Sequence, residues 1–220
     1  MSERWATFDC YGTLIDWNGG LRTTLSRLWP HADGAGLLER YHEMEPRVQL
    51  ESAAQYRDVM RDALRLVADH EGLALATNDE YALAESLPSW PVFPEVPVAL
   101  RELRGHGWRI GILSNTDPDL LDASLARIDV PADVRVTAAD AGSYKPAHGH
   151  WDRFRAESGA DPAHHVHVAA SLFHDIAPAA ELGIPAVWIN RLGEASDLPR
   201  AAELPDAADL PGTLARIAPA

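Results

Sequence analysis

Short apolar segments, separated by helix-like stretches, constrain the fold of this chain more than any other feature of its sequence. Five such segments recur, at residues 5–8, 108–113, 134–136, 165–169 and 186–189. Segments of this kind are typical of strands that are buried on both faces, and the helices between them are typical of parallel crossovers. The pattern therefore predicts an α/β fold in which helices flank a Rossmann-like parallel sheet.

Residues 18–88 follow a different pattern, because their apolar positions recur at helical spacing and no strand-like segment interrupts them. These positions include Leu37, Leu38, Tyr41, Met44, Val48, Tyr56, Val59, Met60, Leu64 and Val67. The pattern predicts a helical cap domain at 18–88, inserted after the first strand, and a core domain formed by 1–17 and 89–220. Such a cap can close over the sheet edge and exclude water from a site there.

Charge and cysteine content narrow the class of protein. Lys and Arg number 19 against 33 Asp and Glu, a formal net charge of −14 that disfavours nucleic acid and anionic membranes as partners. The single cysteine, Cys10, precludes an intramolecular disulfide and fits a reducing compartment. The sequence begins without a signal-peptide pattern, and no apolar run approaches the ~18 residues of a membrane span. We therefore expect a cytoplasmic protein.

Polar residues follow four of the segments, at the points where the predicted strands end. In open α/β sheets, ligands bind beyond the carboxyl ends of the strands, so these side chains are expected to meet. The residues are Asp9, Ser114, Asn115, Asp117, Lys145, Ser171, His174 and Asp175. Any one of them could be a helix cap or a turn residue, but together they predict a catalytic site. The histidines at 148, 150, 164, 165 and 167 lack metal-site spacing and are predicted to lie on the surface.

The ordered motifs at these strand ends resemble those of the haloacid dehalogenase superfamily, whose cap placement also matches. The matching motifs are Asp9-Cys10-Tyr11-Gly12-Thr13, Ser114-Asn115, Lys145-Pro146 and Asp175. Superfamily phosphatases carry a second acid two residues after the nucleophile and another acid four residues before the last aspartate. Here those positions are Tyr11 and Ser171, which lowers the weight of a phosphatase interpretation.

The segments "FDCYGTLIDW", "ILSN", "YKP" and "VWINR" instead resemble the L-2-haloacid dehalogenase (type II) branch. A halide leaves as an anion and requires no proton, so this chemistry needs neither a second acid nor Mg²⁺. The resemblance implies a metal-independent hydrolase without a cofactor, which cleaves the carbon–halogen bond of short 2-halo carboxylic acids. Members of this branch are often dimers, so the resemblance also implies a homodimer.

The resemblance implies a role for each catalytic residue. Asp9 attacks C2 of the substrate with inversion and forms an ester. Water then attacks this ester, with Asp175 as base or orienting group. Lys145 lies between the two carboxylates and keeps Asp9 ionised, and Thr13 orients the turn that carries the nucleophile.

The substrate contacts that the resemblance implies come from the core and from the cap. Ser114, together with backbone amides after Asp9, holds the substrate carboxylate, and Asn115 contacts the departing halide. Arg40 of the cap cradles that halide, because it has the expected glutamate five residues on, and Arg47 is the competing candidate. The further residues expected at the substrate are Tyr11, Trp151, Ser171 and His174.

Some positions depart from the branch and leave alternatives open. Trp151 stands where a tyrosine is expected and suits a reshaped pocket, and His174 could supply a polar group in place of the asparagine that is expected at Leu172. One alternative is a small-molecule phosphatase, with Mg²⁺ held by Asp9, the Tyr11 carbonyl and Asp175. Another is a hydrolase that opens a different activated C–X bond, such as a strained C–N ring. A non-enzymatic binding role would leave these polar residues without a purpose.

Overall fold

The computed structural model describes residues 3–51 and 55–219, so residues 1–2, 52–54 and 220 of the predicted domains lie outside it. Within the described residues, six strands form one parallel sheet in the order β3-β2-β1-β4-β5-β6. The strands are β1 Arg4–Phe8, β2 Trp108–Ser114, β3 Val134–Thr137, β4 His165–Ala169, β5 Ala186–Ile189 and β6 Ala202–Leu204. The predicted α/β fold with a parallel sheet is confirmed.

Helices lie on both sides of this sheet and fill the segment between β1 and β2. They are α1 Trp17–Leu28, α2 Gly34–Glu51, α3 Tyr56–Glu71, α4 Ala82–Ser86, α5 Val96–Gly105, α6 Pro118–Ile128, α7 Ala138–Ala141, α8 Gly149–Ser158, α9 Ala177–Glu181 and α10 Leu210–Ile217. All the described strands lie outside 18–88, and the division into a cap and a core at those bounds stays a prediction. None of the described helices combines the length and apolar character needed to cross a bilayer.

The central position of β1 decides where the polar strand ends meet. Phe8 pairs with Ile112 of β2 on one side and with Val168 of β4 on the other. The sheet order therefore reverses at β1, and ligands of open α/β sheets bind at such a reversal. Asp9 follows Phe8 directly, so its side chain stands at this point of the sheet edge.

A tight turn after β1 returns the chain toward the helices. The Gly12 N–H donates to the Ile15 carbonyl at 2.8 Å, and the Leu14 N–H donates to the Cys10 carbonyl at 2.8 Å. Gly12 has a φ of +86°, which glycine adopts without steric cost. Ile15 then pairs with Val92 in an antiparallel bridge, so the two chain segments that join the helices 17–89 to the sheet lie side by side.

Close packing of α1 against one of these segments generates a stability prediction. A Cβ atom on Gly20 would overlap the indole ring of Trp90, which is 2% exposed. We expect Gly20→Ala to lower the free energy of unfolding by about 1–3 kcal/mol, because a packed interior tolerates added volume poorly. Urea unfolding followed by tryptophan fluorescence measures this change.

Gly105→Ala is the matched control, because no atom lies within 4 Å of a Cβ at this last residue of α5. There the lost freedom of the unfolded chain should raise the free energy of unfolding by about 0.4–1 kcal/mol. Equal effects of the two substitutions would contradict the packing account of Gly20.

Candidate active site

One buried ammonium group joins two buried carboxylates at the sheet edge. Lys145 Nζ lies 2.8 Å from Asp9 Oδ1 and 2.7 Å from Asp175 Oδ1, and it also donates to the Leu113 carbonyl at 2.9 Å. Asp9 is 7% exposed, Lys145 1% and Asp175 0%. The structure therefore brings the predicted nucleophile, the predicted lysine and the predicted water-handling aspartate into direct contact.

The three groups set one another's ionisation. Burial raises the pKa of Asp9, and the nearby Lys145 limits that rise. For Asp175, burial also acts to raise the pKa, but Lys145 and His167 outweigh it, so the pKa lies below its usual range. Burial acts to lower the pKa of Lys145, but the two carboxylates outweigh it and the pKa is raised. The cluster thus holds a lysine ammonium and an Asp175 carboxylate at neutral pH.

Thr13 holds the second oxygen of the nucleophile. Its hydroxyl donates to Asp9 Oδ2 at 3.0 Å and accepts the Ala170 N–H at 2.9 Å. Because Lys145 holds Oδ1 and Thr13 holds Oδ2, the carboxylate of Asp9 cannot rotate freely. An oriented carboxylate loses little entropy on reaching the attack geometry.

A chain of hydrogen bonds runs from Asp175 into the sheet. His167 Nε2 lies 3.0 Å from Asp175 Oδ1, and His167 Nδ1 lies 2.9 Å from the hydroxyl of Thr7. That hydroxyl lies 2.7 Å from His165 Nε2. Since a carboxylate only accepts, His167 Nε2 carries its proton, Thr7 donates to His167 Nδ1, and His165 Nε2 donates to Thr7. The chain fixes the orientation of the Asp175 carboxylate.

These histidines correct the prediction that they lie on the surface. His150, His165 and His167 are buried, and His167 is 0% exposed. Both faces of β4 are covered, so the alternation His-Val-His-Val places all four side chains in the interior. Among the described residues, no group of three or more His, Cys, Asp or Glu side chains is arranged to hold a metal ion.

A cavity of about 640 Å³ lies above the cluster, within the size range of small-molecule sites. Eight of the predicted residues line it, namely Asp9, Tyr11, Ser114, Asn115, Lys145, Ser171, His174 and Asp175. The buried hydroxyl of Ser114 and the buried Oδ2 of Asp175 have no hydrogen-bond partner among the described residues. Buried polar atoms are rarely left unpaired, so these two are suited to bind a substrate and a water molecule.

Three of the lining residues already have partners of their own. The Tyr11 hydroxyl lies 2.9 Å from Ser124 Oγ, and burial raises its pKa well above the usual range, so it is no acid for a leaving group. Asn115 Oδ1 accepts the Lys145 N–H at 2.7 Å and thereby positions the lysine loop. His174 Nδ1 lies 3.1 Å from Ser171 Oγ, and burial lowers the pKa of this histidine to about 4.

Three of the residues with a predicted catalytic or substrate-binding role do not line the cavity, namely Thr13, which holds Asp9, and Arg40 and Trp151, which lie away from it. Arg40 forms ion pairs with Glu43 and, at 3.1 Å, with Glu71, and it is not among the cavity-lining residues. Glu45, five residues further along α2, does line the cavity. At 100° per residue, Arg40 is turned by about 140° from Glu45 around the helix, so the structure does not place Arg40 over a departing halide. Trp151 is 1% exposed and packs on His167 with a centroid distance of 5.4 Å, beneath the site rather than in the pocket.

The side of the cavity that α2 forms, called the cap side, contains residues that the sequence reasoning missed. His42, Glu45 and Gln49 of α2 line it, at positions that share one face of the helix. Arg191, which follows β5, lines the opposite side and donates to the Thr13 carbonyl at 2.8 Å and to Glu95 at 2.7 Å. The signal for α2 was present in the sequence, since Glu45 and Gln49 are four residues apart among apolar positions.

The family model and the similar proteins described next all indicate haloacid dehalogenases. The family model for haloacid dehalogenase-like hydrolases matches residues 4–183. The (S)-2-haloacid dehalogenase of Pseudomonas sp. (strain YL) is 29% identical over 195 residues, which are 84% of this chain and 82% of that protein. The (S)-2-haloacid dehalogenase of Pseudomonas fluorescens is 25% identical over 197 residues, which are 87% of this chain and 86% of that protein.

A solved structure supports the same similarity. The L-2-haloacid dehalogenase RSc1362 has a TM-score of 0.87 and 27% identity, and the match covers 97% of this chain and 99% of that chain. The resemblance inferred from the motifs is therefore confirmed over nearly the whole chain.

The buried cluster generates a prediction on stability and pH. Lys145→Met leaves the carboxylates of Asp9 and Asp175 buried without their cation, which should cost about 3–5 kcal/mol of unfolding free energy at pH 8. Without the cation, the pKa values of the two carboxyl groups in the mutant are raised, so the pair shares a proton at pH 5. The loss should therefore be smaller at pH 5 than at pH 8. Urea unfolding at the two pH values measures the difference.

Arg153→Met serves as the control, because Arg153 is half exposed and pairs with Glu157 on the surface of α8. Its loss should change the free energy of unfolding by no more than about 1 kcal/mol at either pH. A loss for Lys145→Met that did not vary with pH would contradict the electrostatic account.

Proposed function

The chain belongs to the family of haloacid dehalogenase-like hydrolases, and we propose that it hydrolyses the carbon–halogen bond of short (S)-2-halo carboxylic acids. The contact of Lys145 Nζ with both Asp9 and Asp175 carries this proposal. An ammonium group already supplies the positive charge between the carboxylates, so the reaction is proposed to need no metal ion or other cofactor. The names of the two similar Pseudomonas enzymes support the substrate class and its configuration.

In the first step, the Asp9 carboxylate attacks C2 of the substrate on the side opposite the halogen. The new bond joins an oxygen of Asp9 to C2, the C2–halogen bond breaks, and its electron pair leaves with the halide. The unpaired hydroxyl of Ser114 binds the substrate carboxylate. No acid is needed beside Asp9, which agrees with a Tyr11 hydroxyl that is engaged with Ser124.

In the second step, water attacks the carbonyl carbon of the Asp9 ester. Asp175 Oδ2 accepts a hydrogen bond from this water, while Lys145 and His167 hold Oδ1 of the same carboxylate. Lys145 also lies where it stabilises the oxyanion that forms on Asp9. As water attacks, one of its protons passes to Asp175 and is returned to the leaving alkoxide oxygen. Collapse of this intermediate breaks the Asp9 acyl–oxygen bond, releases a 2-hydroxy acid of inverted configuration, and restores the Asp9 carboxylate as the second proton of the water goes to solvent.

The first prediction from this mechanism concerns substrate and metal. The protein should release chloride from (S)-2-chloropropionate in EDTA and form (R)-lactate, because Lys145 replaces a metal ion at the nucleophile. Chloride titration and chiral chromatography measure the two products. Asp9→Asn should abolish both, and the (R)-substrate should remain unreacted.

p-Nitrophenyl phosphate with Mg²⁺ provides the comparison substrate. Mg²⁺-dependent phosphate release without chloride release from the haloacid would overturn the proposal in favour of a phosphatase.

The second prediction concerns the ester. In a single turnover in ¹⁸O water, the label should enter the Asp9 carboxylate and the lactate should stay unlabelled, because water attacks the ester carbonyl and the product oxygen comes from Asp9. Mass spectrometry of the peptide that contains Asp9 locates the label. Label that enters lactate directly would show that water displaces the halide without an ester.

A further inference from the structure

Glu45 is a buried carboxyl group on the cap side of the catalytic cavity. It is 4% exposed and lines the same cavity as Asp9 and Lys145. Gln49 Nε2 donates to Glu45 Oε1 at 2.5 Å, and Asn115 Nδ2 lies 3.5 Å from Gln49 Oε1. Because Asn115 also holds the backbone of Lys145, a short series of polar contacts connects Glu45 to the catalytic cluster.

The surroundings of Glu45 contain hydrogen-bond donors but no paired cation. Its hydrogen bonds come from the neutral side chains of Tyr56 and Gln49. Within residues 3–51 and 55–219, no Lys, Arg or His forms an ion pair with it. Burial raises the pKa of Glu45 to about 7, although Tyr56 and Gln49 act to lower it.

Binding of the proposed substrate favours the protonated form further. The substrate carboxylate and the departing halide are both anions, and a like charge in the same cavity raises the pKa of a carboxyl group. An ionised Glu45 would repel both of them. A protonated Glu45 instead presents an O–H group, which is a hydrogen-bond donor.

We propose that Glu45, with its carboxyl group protonated, donates a hydrogen bond to the departing halide from the cap side. Glu45 thus takes the part that the sequence suggested for Arg40, which lies on another face of α2. The C2–halogen electron pair leaves with the halide, and the proton stays on Glu45 because a halide is a weak base. This inference rests on the proposed dehalogenase function.

The shifted pKa values of the titratable groups near Glu45 do not account for a fall in activity above pH 7. The groups that face it or share its cavity are Tyr11, Tyr41, His42, Tyr56, Tyr144, Asp9, Asp16, Arg22, Lys145, His174, Asp175, Arg191 and Glu194. Burial raises the pKa values of the four phenols and lowers those of the two histidines. Burial also raises the pKa of Asp9, but its ionisation would increase activity as pH rises, which is the opposite sign.

The pH dependence of turnover tests the role of Glu45. For the wild type, kcat/KM for (S)-2-chloropropionate should fall about tenfold per pH unit above the pKa of Glu45, because ionisation removes the donor. Glu45→Gln keeps an N–H donor that does not ionise, so this alkaline fall should disappear while turnover remains. Glu45→Ala should be slower than Glu45→Gln at every pH.

Glu43→Gln is the matched control, because Glu43 is exposed on the same helix and faces Arg40. Its pH profile should follow that of the wild type. Coincident profiles for the wild type and Glu45→Gln would overturn the inference even if both release chloride.

Binding of propionate separates this inference from the proposed function, because propionate is an anion without a leaving group. Its Kd, measured by calorimetry, should rise about tenfold per pH unit above pH 7 in the wild type and stay constant in Glu45→Gln. Absence of chloride release with this binding pattern would overturn the dehalogenase proposal and leave the protonation of Glu45 supported. A wild-type Kd that did not vary with pH would overturn the protonated Glu45.

Discussion

The contact of one ammonium with two carboxylates in a water-poor interior is the interaction on which this site depends. Removing three charges from water is costly, and their attraction compensates only when the geometry is held closely. The protein holds it from several sides, since the Leu113 carbonyl accepts from Lys145 Nζ and Asn115 clamps the backbone of Lys145. Much of the sheet edge therefore serves to position a single amine.

The topology explains why this arrangement is possible. Asp9 follows the central strand, and the chain reverses its order in the sheet there, so the ends of β1, β2 and β4 converge without long loops. Each of these three strands is hydrogen-bonded to a neighbouring strand on both sides, so the polar residues that follow it are held rigidly. The histidine chain behind Asp175 extends this rigidity into the sheet, because Thr7 on β1 connects His165 and His167 on β4.

The sequence predicts these parts of the structure because local pattern and topology agree there. The five apolar segments became the first five strands, and β6 was missed because Ala202–Leu204 is short and includes an exposed glutamate. The motif residues at the strand ends meet because parallel strands share an edge. Arg40 could not be placed in the same way, since the contacts of one helical residue depend on how the whole helix is rotated. His167 and Glu45 were missed because polar side chains are usually exposed, and burial is decided by tertiary packing.

The two sides of the cavity differ in how they handle charge. At the strand ends Lys145 is paired with Asp9 and Asp175, while Glu45 and Gln49 of α2 are polar groups without a paired cation. During the displacement of the halide, the negative charge of Asp9 passes through C2 to the halide. It thus moves away from Lys145 and toward α2. Arg22 of α1 also lines this cavity but is exposed to water, whereas a buried guanidinium at the halide would bind it strongly and retain it. A neutral carboxyl donor stabilises it less and releases it more readily, so the proposed use of Glu45 favours halide departure over halide binding.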